Sequence, residues 1–134
     1  MSKWIHLFFL VCPAFLQANE IDCETPISTY ALNVCIASEV EATNAELDKY
    51  LGMALEKSSE EIAVVDLLVK SQESWLAFRR DYCDATYETW SGGTIRGVMF
   101  GKCMLKLTKQ RTHQIWEDYL TYMDSTPPLL PEPK

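Results

Sequence analysis

Apolar residues recur at spacings of three and four along three long stretches, and no stretch alternates at period two. From Ser28 to Lys57, the residues Leu32, Cys35 or Ile36, Val40, Thr43, Leu47, Tyr50 or Leu51 and Ala54 share one helical line, with Glu and Lys on the other faces. Next comes "KSSEE", in which Ser58 and Glu61 have the spacing of a capping box and predict a second helix from about Ser59 to Thr89. Its inner stripe reads Ile62, Val65, Leu68, Gln72, Trp75, Arg79 and Tyr82 or Cys83. "WSGGT" then interrupts the pattern, because Gly92 and Gly93 permit backbone angles closed to other residues. A third helix is predicted from about Thr94 to Met123. There Met104, Thr108, Arg111, Ile115, Tyr119 and Tyr122 fall on one line, with Val98 and Leu105 beside it. These periods predict an all-α fold, an antiparallel bundle of three long helices over residues 19–123. The closing "DSTPPLLPEPK" cannot continue a helix, and residues 124–134 read as a Pro-rich mobile tail.

The first twenty residues follow a different logic. Lys3 precedes an apolar run from Trp4 to Leu16, then small Ala18 and the polar pair Asn19-Glu20. This order predicts a signal peptide over residues 1–18, cut after Ala18, and a periplasmic or secreted product. The run is short and broken by Pro13, which argues against a membrane span. Val11 stands where a lipidation signal carries a small residue, so Cys12 is not expected to bear a lipid.

Cleavage would leave four cysteines, Cys23, Cys35, Cys83 and Cys103, an even number in a short exported chain, and so two disulfides. Cys83 near the end of the second helix and Cys103 near the start of the third flank the glycine bend, and Cys23 can fold back onto Cys35. The two other pairings stay open on the sequence, because the first helix also begins at this end. The formal net charge of −7 becomes −8 once Lys3 is lost. Such acidity disfavours nucleic acid and anionic surfaces and suits a basic partner.

Little in the chain suggests catalysis. After cleavage His113 is the one histidine left, and it has no patterned acid or nucleophile beside it. No Cys/His spacing fits zinc, and "SGGT" lacks the Lys-Ser/Thr of a phosphate loop. No catalytic residue, metal or cofactor is therefore expected. The stripe Gln72, Trp75, Arg79 reads as a structural seam with Thr108 and Arg111. Its Trp75 is assigned to the core, and Arg79 is expected to reach an acid on the first helix, Glu46 or Asp48.

Cys23…Cys35, "AELDKYL", "SQESWLAFRRDYC", "GGTIRGVMFGKC" and "LTKQR", in that order, resemble the lysozyme inhibitor LprI N-terminal domain family over about Cys23 to Tyr119. The most specific element is the Gln72, Trp75, Arg79, Cys83 series followed by the glycine pair, Cys103, Thr108 and Arg111. The resemblance implies a small exported helical protein of the bacterial envelope. One characterised branch, a mycobacterial lipoprotein, inhibits lysozyme. The chain departs in carrying Asp48 where the family usually has Asn, and in lacking a convincing lipid-attachment cysteine. Unrelated lysozyme inhibitors push a loop into the enzyme cleft, and here the exposed candidate is the bend Trp90, Ser91, Gly92, Gly93 and Thr94. Two functions are thus weighed. One is a binding protein that inhibits lysozyme or another basic envelope-directed protein; the other is a non-inhibitory structural or interaction module of the envelope.

Overall fold

The computed structural model describes residues 21–134, so the signal-peptide assignment lies outside the described residues. Three helices follow in order: α1 (Thr29–Lys57), α2 (Ile62–Thr89) and α3 (Arg96–Ile115). The last continues into a π-helical stretch, Trp116–Leu120.

Ser28 sets the start of α1. Its backbone is extended, and its hydroxyl accepts from Ala31 N at 3.1 Å, satisfying one amide at the helix start. The second helix does not begin where the capping-box pattern places it. Ser58 is the C-cap of α1, buried on the same face as Ala54, with its N–H donating to Ala54 O at 3.1 Å. A turn closed by Glu61 N to Ser58 O at 2.8 Å follows, and Glu61 caps α2 without a side-chain bond. α1 thus ends at Lys57, as its period predicts, and α2 begins at Ile62, about three residues later than the motif suggests. The third helix is also shorter than its periodicity, since backbone at Thr121 is extended and Tyr122 lies beyond the helix.

α3 occupies the middle of the bundle, packing against α1 on one side and α2 on the other, while α1 and α2 hardly meet. The core is built from Leu47, Tyr50 and Ala54 of α1, Leu68 of α2, Ile115 of α3 and Leu120 just beyond it. Trp75, assigned to the core from its stripe, packs at the margin of this cluster and is partly exposed. Ile62, also placed inside by periodicity, is exposed; of the alternatives Tyr82 and Cys83, Cys83 takes the inner position and Tyr82 is exposed.

Both disulfides are formed as expected, Cys23–Cys35 and Cys83–Cys103, with Cα atoms 5.5 and 5.6 Å apart. They sit at one end of the bundle, pinning the lead segment to α1 and the end of α2 to the start of α3. At this end the glycines that matter are not those of the bend. Neither Gly92 nor Gly93 adopts a positive φ, and a Cβ on Gly92 would meet nothing within 4 Å. Gly97 and Gly101, one turn apart on α3, let α1 approach closely. A Cβ on Gly97 would collide with the Asn33 carboxamide, and one on Gly101 would lie 2.7 Å from Ile36 Cγ1.

The Pro-rich segment, expected as a mobile tail, lies back along the bundle. Leu129 N donates to Leu120 O at 2.9 Å, Trp116 Nε1 to Leu130 O at 2.9 Å, and Tyr50 Oη to Pro131 O at 2.7 Å. Leu130 packs against the core cluster. Prolines forbid a helix here, yet they leave carbonyls free to accept from buried tyrosine and indole donors.

Candidate functional site

Two regions hold the residues singled out in the sequence, and they lie apart. Along α2, Arg79 and Trp90 are separated by eleven residues, about 16 Å of helix.

The first region is the polar seam. Gln72 and Arg79 are buried on α2, and Thr108 is buried on α3. Arg79 Nη1 donates to Thr108 Oγ1 at 2.7 Å and to Asn44 Oδ1 at 2.7 Å, bridging the gap between α1 and α2. The acceptor from α1 is thus a neutral carboxamide rather than Glu46 or Asp48. Asn44 reaches Nη1 directly, whereas Asp48 acts on Arg79 through space alone, opposing the desolvation that lowers the guanidinium's pKa. Asp48, the departure from the family pattern, is therefore not the hydrogen-bond partner on α1. Arg79 also stacks over Trp75, its guanidinium carbon 4.7 Å from the ring centre. Its Nε is buried without a partner.

Arg111 closes the seam one turn further along α3. Its Nε donates to Gln72 Oε1 at 3.1 Å, Nη1 to Gln114 Oε1 at 2.9 Å and Nη2 to Ser71 Oγ at 2.9 Å. Desolvation lowers its pKa, with Tyr119 and Asp118 opposing. All five seam residues are brought together, with Gln72, Arg79 and Thr108 buried and Trp75 and Arg111 partly exposed at its edges. Both guanidiniums are held by neutral acceptors, with no carboxylate of the described residues in hydrogen-bond contact. Such a seam fixes helix register, and on its outer side Asn44, Asp48, Gln72 and Arg79 line an open cleft. Sequence reasoning missed Asn44, Ser71 and Gln114, small polar residues that carry no signal until the helices are set in place.

The second region is the bend. Trp90 is the C-cap of α2 and is 44% exposed; Ser91, Gly92, Gly93 and Thr94 are exposed as well. Backbone bonds tighten the turn, with Ser91 N donating to Glu88 O at 3.0 Å and Gly93 N to Trp90 O at 3.1 Å. Arg96 braces it from the α3 side. Its guanidinium lies 3.6 Å above the Tyr87 ring, and Nη2 donates to Glu88 Oε1 at 3.2 Å. Tyr87 in turn meets Phe100 edge-on at 6.1 Å. This aromatic–cation stack, with Cys83–Cys103 behind it, holds an exposed indole at a braced turn.

His113, expected as a lone surface residue, lies between two acids, with Glu132 Oε1 at 3.1 Å and Glu117 Oε2 at 3.8 Å. Among the described residues no group of three His, Cys, Asp or Glu side chains could hold a metal ion, and no helix is long and apolar enough to cross a membrane.

The model of the family "Lysozyme inhibitor LprI" matches residues 22–115, and the chain belongs to that family. The chain is also 28% identical to an uncharacterized protein, R02472, of Rhizobium meliloti (strain 1021), in an alignment covering 83% of this chain and 90% of that protein. No solved structure matches the chain.

Proposed function

We propose, from membership of the lysozyme-inhibitor family and from the braced bend, that this is an exported envelope protein that binds and inhibits a lysozyme-type cell-wall hydrolase. The observation that carries the reading is Trp90, half-exposed at a turn held by hydrogen bonds, by the Arg96–Tyr87 stack and by a disulfide. An aromatic side chain on a stiff turn loses little entropy on binding, which is what an anchor in an enzyme cleft requires. Charge supports the same partner. The chain carries 19 acidic against 12 basic residues, and α3 alone holds five of the basic ones and none of the acidic. The rest of the surface is thus strongly acidic and attracts a basic enzyme from a distance. The inward-facing seam fits a binding scaffold rather than an enzyme.

The test is the clearing of a cell-wall suspension by a basic animal-type lysozyme in the presence of the oxidised mature protein. Dose-dependent slowing that is lost in Trp90→Ala supports the reading. Unchanged clearing at high micromolar inhibitor would leave a non-inhibitory envelope module.

A further inference from the structure

The charge asymmetry of α3 coincides with an uncovered groove on the far side of the α2–α3 pair, of about 470 Å³. Phe78 and Tyr82 of α2 form one wall, their rings 5.6 Å apart and 52% and 56% exposed. Met99 and Leu107 of α3 line it, and Cys103, held to Cys83, forms part of its floor. Lys102 and Lys106, one turn apart on α3, also line it, and neither has a carboxylate within 4 Å among the described residues. Two aromatic side chains half in water and two unpaired cations beside them serve no purpose in the fold.

We infer that this groove receives an amphipathic helix of a partner protein, one whose apolar stripe is flanked by acidic residues. From Met99 to Gln110 the groove follows α3 for twelve residues, about 16 Å or three turns. Residues on either wall repeat at four-residue spacing, as Phe78 and Tyr82 and again Met99, Cys103 and Leu107, the spacing that a helix ridge packs into. Lys102 and Lys106 leave α3 with Cβ atoms about 6 Å apart, the spacing of carboxylate side chains at i and i+4 of the incoming helix. A flat anionic bilayer would reach the lysines but not the recessed Met99 and Leu107. In a chain of net charge −7, this local positive rim also rejects basic helices. No residue of the bend Trp90 to Thr94 lines the groove.

The probe is a fluorescein-labelled helical peptide of about 18 residues with Leu at its a and d positions and Glu at e and g, titrated with the oxidised protein and followed by polarisation. Saturable binding is expected below about 500 µM. It should weaken at least tenfold in Lys102→Glu/Lys106→Glu and in Phe78→Ser, with helical content kept and lysozyme inhibition not weakened in the lysine variant. Phosphatidylglycerol/phosphatidylcholine vesicles form the second arm. No peptide binding in that range, binding indifferent to Lys102 and Lys106, or lysine-dependent capture by the vesicles in place of the peptide would each overturn the inference.

Discussion

Arg79 Nη1 lies 2.7 Å from Thr108 Oγ1, and through this contact α2 is registered on α3 at a buried position. Thr108 meanwhile donates to Met104 O at 2.8 Å, so the hydroxyl both gives and receives. Thr108→Val keeps the shape and removes both bonds, leaving the guanidinium with Asn44 alone. A hydrogen bond to a charged group contributes about 1.5–3 kcal/mol, and urea denaturation of the variant should show a loss of that size. A change within about 0.5 kcal/mol would show that water replaces the hydroxyl without penalty.

Glycine substitutions separate close approach from turn geometry. In an exposed helix Gly→Ala gains about 1 kcal/mol. At Gly101 the added methyl would sit 2.7 and 2.8 Å from two carbons of Ile36, so Gly101→Ala should instead cost about 1–3 kcal/mol through overpacking. Gly92→Ala meets open space with no positive φ to oppose it, and should leave the melting temperature unchanged or slightly raised. Thermal melts of the two variants read the contrast directly.

The four-residue periods showed three helices and the inner stripe of α2 because burial on one helix face imposes that spacing whatever the partner. They could not show which elements pack together. Gly97 and Gly101 let α1 approach α3 closely, and their small size reads in the sequence only as a weak helix propensity. Opposite charge, the strongest pairwise signal, points Arg79 to an acid, yet its Nη1 bonds the Asn44 carboxamide. The tail departs from its expected mobility for a related reason. Proline reports on what the backbone cannot do, and says nothing of the carbonyls that Tyr50 and Trp116 find. The bend was legible as a break, but the Arg96–Tyr87 brace joins residues on either side of it and needed coordinates.

Tyr50 supplies a pH test of that docked tail. Its pKa is raised above 10.0, chiefly by desolvation and secondarily by Glu46. The folded state therefore holds the phenolic proton more tightly than the unfolded chain does. That contribution is complete below the unfolded pKa and is lost as pH rises through the folded one. Stability should thus decline above about pH 10, and more gently in Tyr50→Phe. At neutral pH the same substitution removes the bond to Pro131 O and should cost about 1 kcal/mol.

The Cys83–Cys103 bridge closes a loop of 20 residues that contains the bend. Cys83→Ser/Cys103→Ser should lower stability by about 3 kcal/mol, through the greater freedom of the unfolded chain. Hydrogen exchange at Ser91 and Gly93, whose amides close the turn, should quicken by more than it does at the far end of α2. Equal acceleration throughout would mean that the bridge stabilises the bundle without stiffening the turn.

Binding kinetics separate the two roles proposed for charge and for Trp90. If acidic surface guides a basic lysozyme to this protein, raising salt should slow association, because screening confines the field to about 8 Å at physiological ionic strength. Trp90, 44% exposed and fixed as the cap of α2, acts only at contact, so Trp90→Ala should leave the association rate nearly constant and speed dissociation. Truncating an aromatic anchor costs about 2 kcal/mol or more, which is at least a twentyfold shorter lifetime. Trp90 packs outside the core cluster, so circular dichroism of the variant should match the parent. Surface plasmon resonance over a salt series reads both rates in one experiment. Dissociation indifferent to Trp90 would keep the inhibitor but move its contact to an acidic helix face, with Glu39, Glu41 and Glu46 of α1 the first to reverse in charge.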